Sequence, residues 1–415
     1  MVNYPEDWKT YNFDDYFAIL NNNTYPRAME SATGQISNIH YGDVLIKYGE
    51  NLNNVNDVPK LSSALDTSAF ELLRNGDVVF ADTAEDDTVG KCIQIGDFKG
   101  KLISGLHTIP CRPKIETASG FLGYYLNSRL FHDQLLPYIT GIKVSSISKT
   151  DIKNTEITIP PLPEQREIAK VLSSFNEHLA NLDELITKKK AIRDGALEEL
   201  VSGKKRLQGF DGEWGHLSFE KTVTPKARIG WQNLRTDEYL SVGYSYIFGG
   251  TDFSNGTIDL SACNFVTKER YAMDQFIQVS KGDVLVTKDG TIGKVAVVPK
   301  IDKPATLNSG VYVFRPNGQL TKQFLYWILR SSIFDRFIED LSAGSTIKHL
   351  YQKDLKNFYF DAPKHVEEQQ AIADALSSMD AEILALEEER EKIEKIKLGA
   401  MDDLLTGRVR LNAEV

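Results

Sequence analysis

Ile159-Pro160-Pro161-Leu162-Pro163-Glu164-Gln165-Arg166-Glu167-Ile168-Ala169-Lys170-Val171-Leu172-Ser173-Ser174 is answered half a chain later by Val366-Glu367-Glu368-Gln369-Gln370-Ala371-Ile372-Ala373-Asp374-Ala375-Leu376-Ser377-Ser378. Glu-Gln, Ile-Ala and Leu-Ser-Ser recur at a register of 204 residues. The match runs on to Leu200-Val201-Ser202-Gly203-Lys204-Lys205-Arg206-Leu207 against Leu404-Leu405-Thr406-Gly407-Arg408-Val409-Arg410-Leu411. Upstream the register is 203, one residue having been inserted. There Phe121–Ser128 pairs with Phe324–Ser331, Phe131 with Phe334, Gly141 with Gly344, and Asp151-Ile152-Lys153-Asn154 with Asp354-Leu355-Lys356-Asn357. Farther upstream, Gly282-Asp283-Val284-Leu285-Val286-Thr287-Lys288-Asp289-Gly290-Thr291-Ile292-Gly293-Lys294 has a looser partner in Gly76–Phe80 and Val89-Gly90-Lys91. A period this long is not a solenoid repeat; the chain is a duplicated module.

After each lead-in the apolar residues step by four and three. Ile168, Leu172, Phe175, Leu179, Leu182 and Ile186 form one stripe; Ile372, Leu376, Met379, Ile383, Leu386 and, farther on, Ile393 form the other. That spacing is a coiled-coil seam. Prolines mark the start and Gly203 and Gly407 the end. Each helix is about 38 residues, roughly 57 Å long. Such a stripe needs a partner along its length, and the intervening module lets the second helix return antiparallel to the first. The seam is imperfect. Arg390 stands where the first copy has Ile186, and Lys189 stands where the second has Ile393. Polar seam residues commonly fix register.

The modules read as α+β. Strands are expected at Asp43–Lys47, Asp77–Ala81, Asp283–Thr287, Lys294–Val298 and Val311–Arg315, and one helix per module at Gly120–Leu135 and Leu320–Asp340. The chain has 415 residues, too many for one ordinary domain. No apolar run is long enough for a membrane span, and the acidic, aromatic start is not that of a signal peptide. Cys92, Cys111 and Cys263 lack metal-site spacing and read as free thiols of a cytoplasmic protein. The net charge is −10, carried as −6 on residues 1–163 and −6 on 364–415, with +1 on each of the two intervening segments. A nucleic-acid ligand would therefore need a local basic face or a partner's help.

Catalytic motifs are missing. Gly290-Thr291-Ile292-Gly293-Lys294-Val295 lacks the spacing and the hydroxyl of a phosphate-binding loop. There is no Asn/Asp-Pro-Pro-aromatic motif for amino-methyl transfer and no Gly-x-Gly cofactor loop. Asp151-x-Lys153 and Asp354-x-Lys356 mimic part of a nuclease motif, but they recur without a second placed acid and read as structural. No histidine has a nucleophile–base signature. The expectation is no catalytic residue, no metal and no bound cofactor.

The doubled Pro-x-Pro-Glu-Gln helix entry, with its following Ile-Ala-x-x-Leu, and the Gly-Asp-Val-Leu-Val-Thr-Lys-Asp-Gly-Thr-Ile-Gly-Lys segment resemble the specificity subunit of type I restriction–modification systems. The resemblance spans essentially the whole chain; the second copy departs at Ala362-Pro363-Lys364-His365-Val366, where the lead-in is degraded. It implies an internal pseudo-twofold repeat: target-recognition domains at 1–163 and 208–363, a central spacer helix at 164–207, a C-terminal spacer helix at 364–411 and a tail at 412–415. The spacer helices would pair as an antiparallel coiled coil. The domains would each read half of a split site in double-stranded DNA. Two methyltransferase subunits would dock, and restriction subunits would complete the complex. S-adenosylmethionine, ATP and Mg2+ would belong to those partners. A rod of roughly 57 Å matches about 17 base pairs.

Base and phosphate contacts call for amide, hydroxyl and basic side chains on loops. The matched loops offer Thr140, Lys143, Ser145 and Ser146 in the first copy and Ser345, Thr346 and Lys348 in the second; Lys91, Lys288 and Lys294 come next. Two other readings stand. A coiled-coil scaffold binding protein or sugar ligands suits the acidic charge. A self-contained enzyme, or the specificity portion of another restriction–methylation system, would share the frame, but the missing motifs oppose the former.

Overall fold

A computed structural model of the chain describes residues 4–53, 58–229, 234–342 and 349–411. The chain divides into two compact units, residues 1–183 with 388–415, and residues 184–387. Each unit is one module together with half of each long helix. The long helices run Leu162–Val201 and Val366–Leu405, 40 residues each. Pro163 sits in the first turn, where its missing N–H costs nothing.

Within each unit the helix halves pack antiparallel. In the first, Ile168 and Leu172 share a core with Met401, Leu404 and Leu405, while Asp183 bonds Arg390 at 2.5 Å. In the second, Leu197, Leu200 and Val201 meet Ile372, Ala373 and Leu376, while Lys189 bonds Glu382 at 2.6 Å. The polar seam residues are thus inter-helix ion pairs. Of the stripe residues, Ile168, Leu172, Leu182, Ile186, Ile372, Leu376 and Ile383 are buried, and Phe175, Leu179, Met379, Leu386 and Ile393 are half-buried.

The repeated Glu-Gln has a physical cause. Glu164 and Glu368 are buried, and each takes both oxygens to an arginine just past the far end of the other long helix. Arg410 reaches Glu164 at 2.7 and 2.8 Å, and Arg206 reaches Glu368 at 2.6 and 2.8 Å. A buried carboxylate is tolerable only when paired in this way. The neighbouring glutamines bind backbone. Gln165 donates to the Pro160 carbonyl and accepts from Ala118 N–H; Gln369 donates to Pro363 and Gln319 carbonyls and accepts from Thr321 N–H. Each glutamine thereby ties its helix entry to its module. The helix ends are tied by tryptophans. A Cβ on Gly203 would lie 3.2 Å from Trp214, and one on Gly407 3.3 Å from Trp8.

Both modules share a sheet plan. In each, an entering strand (Lys9–Asn12, Trp214–Ser218) pairs antiparallel with the strand that leads into the long helix (Glu156–Ile159, Tyr359–Pro363). The main sheet of the first has the order Phe17–Ile19, Thr108–Pro113, Val78–Ala81, Cys92–Ile95, Asn51–Leu52. That of the second runs Val223–Ala227, Val311–Pro316, Val284–Thr287, Val295–Val297, Thr257–Ile258, with Phe253–Ser254 added at the edge. A four-stranded sheet lies beside each. The Gly-Asp before each central strand is structural. Gly76 and Gly282 adopt φ of 91° and 85°. Buried Asp77 accepts from the Arg74 N–H and binds Arg112 at 2.7 and 2.9 Å; buried Asp283 accepts from the Ser280 N–H and binds Lys322 at 2.6 Å.

Three expectations change. Asp43–Lys47 is not a strand; Tyr41–Ile46 is a helix with the His40 ring accepting from Gly42 N–H at its start. An apolar run this short does not separate the two periods. The two module helices are each broken. Phe121–Leu126 and Arg129–Leu135 part at Asn127-Ser128, where the Ser128 hydroxyl takes the Tyr125 carbonyl; Lys322–Leu329 and Ser332–Ser342 part at Arg330-Ser331, where Ser331 takes that of Ile328.

The clasp yields a prediction. Arg206→Ala strands the Glu368 carboxylate and lowers the stability of the second unit by about 1–3 kcal/mol in urea unfolding. Lys364→Ala, which breaks the exposed pair with Glu213, leaves the same transition unchanged.

Candidate nucleic-acid interface

In both modules the backbone leaving the central strand is gripped from two sides. Asp82 N–H bonds the His107 carbonyl and Ile147 N–H bonds the Asp82 carbonyl, at 3.1 and 2.9 Å. At the matching register Lys288 N–H bonds the Gly310 carbonyl and Leu350 N–H bonds the Lys288 carbonyl, at 2.8 and 2.9 Å. The fold therefore holds the candidate loop 140–146 of the first module, and His349–Leu350 of the second, against the end of the central strand.

The first loop is a small hairpin. Thr140 and Ser146 exchange both backbone hydrogen bonds, and Ser145–Ser146 pairs with Thr83–Ala84. Gly141 has φ of 120°, and a side chain there would overlap the Val144 carbonyl. Thr140 and Lys143 are exposed and Ser145 and Ser146 half-buried. Thr83 hydroxyl lies 3.3 Å from the His107 ring, which meets Tyr41 edge-on at 5.4 Å; next to Tyr41, His40 lies 3.5 Å from Arg27. The surface thus continues through His107, Tyr41 and Arg27, with His40 buried beneath them and Arg27 also paired with Asp43 at 3.2 Å; its donors suit groove edges and phosphates. Burial, with the Arg27 charge beside it, holds His40 below the ordinary histidine range. Sequence reasoning missed these residues. His107 carries one late signal, a φ of 55°, uncommon outside glycine and concentrated at functional sites.

The second module presents different chemistry at this place. Asp289 meets the ring of His349, which lies 4.2 Å from Tyr351; the Lys353 ammonium stands over Tyr351. Ser345, Thr346 and Lys348 lie outside the described residues.

The three remaining lysines part company. Lys91 is half-buried and donates to the Leu45 carbonyl at 2.6 Å. Lys288 is largely buried, paired with Asp289 over the Tyr312 ring, whose phenol burial pushes up to about 12. Lys294 is exposed beside Arg330 and Asp335 in a shallow groove. The glycine before Lys91 and the one before Lys294 have φ of 87° and 81° and lie close under a helix. A Cβ on Gly90 would lie 2.6 Å from Leu135, and one on Gly293 3.1 Å from Ile338. Among the described residues no group of three or more metal-ligating side chains gathers, and no helix is long and apolar enough to cross a membrane. Burial raises the Cys92 and Cys111 thiols above the ordinary range.

The family model for the type I restriction modification DNA specificity domain matches this chain twice, over residues 5–191 and 232–398. The chain belongs to the type I restriction–modification specificity family. A relative in Methanocaldococcus jannaschii, the putative type I restriction enzyme MjaX specificity subunit, is 24% identical over 98% of this chain and 95% of its own length. The MjaVIII specificity subunit of the same organism is 27% identical over 65% of this chain and 66% of its own. The crystal structure of a type I S subunit from M. genitalium shares the fold, with a TM-score of 0.60 at 17% identity, over 97% of this chain and 96% of that one. A chain from a study of complex assembly and conformational transition of the type I system has a TM-score of 0.61 at 18% identity, over 99% of this chain and all of that one. Two specificity domains in tandem are thus this chain's plan.

The lysines make a test. Lys143→Ala weakens duplex binding by the assembled complex severalfold and lowers the salt slope by about 1, without changing the melt. Lys91→Ala instead lowers the melting temperature, because its ammonium fastens the Leu45 carbonyl.

Proposed function

We propose that this specificity-family chain reads a bipartite, gapped site in double-stranded DNA, one half with each module, and serves as the dock for two methyltransferase subunits. The observation that carries the reading is the contrast between copies. The Glu-Gln helix entries, the arginine clasps and the backbone grip on the central strands recur in both copies, while the described side chains beside the ends of those strands differ in chemistry. A constant frame suits two copies of one partner, docked pseudosymmetrically. Divergent surfaces suit two different half-sites.

On this reading the chain performs no catalytic step. Its exposed hydroxyl, imidazole and basic side chains position and read the duplex. Adenine methylation, with S-adenosylmethionine, belongs to the methyltransferase subunits; ATP and Mg2+ serve the restriction subunits of the full complex. The net charge of −10 fits a subunit that borrows cationic surface from its partners. Reduced, buried cysteines fit the cytoplasm.

Co-expression with a cognate methyltransferase subunit is expected to yield a complex of two methyltransferase chains per specificity chain that methylates adenines in a gapped motif. Methylation without sequence preference would sink the proposal. The long helices add a second test. Inserting one heptad into both, near Asp183 and Glu387, preserves the seam and adds about 10 Å, or about 3 base pairs, to the gap. The half-site sequences stay the same; a change in them instead of in the gap counts against a ruler.

A further inference from the structure

Each module is also fastened to the long helices along its flank. Part of this fastening is constant. The Tyr124 hydroxyl lies 3.2 Å from the Ser173 hydroxyl, and the Trp327 indole N–H donates to the Ser377 hydroxyl at 3.3 Å. One turn farther along, the two copies diverge in charge. In the first unit Lys397 pairs with Glu50 at 2.6 Å, and the Asn176 amide donates to Glu50 and to the Tyr124 hydroxyl. In the second unit Arg193 pairs with Asp380, and Arg330 bonds the other Asp380 oxygen at 2.7 Å and the Tyr326 hydroxyl at 2.6 Å.

The positions correspond. Lys397 matches Arg193 and Asn176 matches Asp380 at the helix register, and Asn127 matches Arg330 at the module register. Glu50 matches Gly256, since their carbonyls accept from Gln94 and Val297 N–H at 3.0 and 2.9 Å in equivalent strands. The helix cation is constant, and its anion has changed sides. It comes from the module in the first copy; in the second it comes from the other helix, with Asp194 beside Arg193 adding a carboxylate at 2.7 Å. Gly256 cannot supply it. Its φ is 78°, and a side chain there would overlap the Tyr326 hydroxyl and meet Arg330 at 3.1 Å. These groups are poorly solvated: Lys397 and Arg193 are 12% and 13% exposed and Arg330 22%. Cations so placed need a counter-charge.

We propose that these four positions, Glu50/Asn127/Asn176/Lys397 in one unit and Gly256/Arg330/Asp380/Arg193 in the other, form a matching code that decides which module seats on which half of the helical frame. A first-type module on the second seat brings Glu50 against Asp380. A second-type module on the first seat brings Arg330 against Lys397, with only a neutral amide between them. Each mismatch crowds like charges in a site with little water. The code acts on top of the constant clasps and limits which module exchanges give a working chain. It depends on these contacts between module and helices and not on what the modules bind.

The test is a substitution cycle in the full chain, read by thermal melting. Glu50→Gln leaves Lys397 without its anion, and Asn176→Asp sets a second carboxylate against Glu50. Each alone lowers the melting temperature of the first unit by about 3–6 °C. Together they move the anion onto the helix, as in the second copy, and return the melt to within about 2 °C of the parent. Two losses that simply add overturn the code. A hybrid chain with the second module on both seats provides the functional arm. It is expected to be folded with Asn176→Asp and to precipitate without it. Equal behaviour of the two hybrids, folded or insoluble, also overturns the proposal.

Discussion

A carboxylate with almost no access to water must find a positive partner or lose its charge. Here that need arises in the first turn of each long helix, at Glu164 and Glu368, and the partner comes from beyond the last turn of the other helix, at Arg410 and Arg206. The start of one helix is thereby held beside the end of the other. An antiparallel arrangement follows, and the seam residues fall into register behind it. Trp8 and Trp214 cover the glycine at each helix end, and Gln165 and Gln369 anchor each entry to its module. Apolar burial along the stripe supplies most of the adhesion, but it is directionless. The ionic clasp gives it direction and phase.

Much of this frame was legible in the sequence because its signals are local and doubled. A four-and-three apolar step, a proline entry and a glycine exit specify a helix without reference to anything else, and the second copy guards against chance. The purpose of Glu164-Gln165 was not legible. Its partners lie far away in sequence, and no periodic pattern points from Glu164 to Arg410. The modules were read less well for a related reason. Many of their strands are only two to four residues long, too short for alternation to distinguish Asp43–Lys47 from the helical turn it occupies. The breaks at Ser128 and Ser331 are made by side chains turning back onto a carbonyl, inside stretches whose apolar spacing continues across the break.

The candidate surface shows the same division. Loop composition picked out Thr140, Lys143, Ser145 and Ser146, which the hairpin brings together. It also picked out Lys91 and Lys288, whose ammonium groups the fold spends on a carbonyl and on a neighbouring carboxylate. A lysine in a sequence looks the same whether its charge faces water or a backbone oxygen. His107, Tyr41, His40 and Arg27 come from three separate segments, so their meeting is a product of the tertiary fold. The Gly-Asp and Gly-Lys motifs of the main sheets serve a buried charge clamp and a close approach of helix to turn.

In each module the entering strand lies directly against the departing one, Lys9–Asn12 beside Glu156–Ile159 and Trp214–Ser218 beside Tyr359–Pro363. Two paired strands stand about 4.8 Å apart. The frame therefore meets each module through a doorway one strand spacing wide, whatever the length or shape of the chain between. Insertions, deletions and wholesale remodelling inside the module do not move the two ends. A graft has to satisfy the doorway and the few flank contacts, and everything beyond them is free to drift.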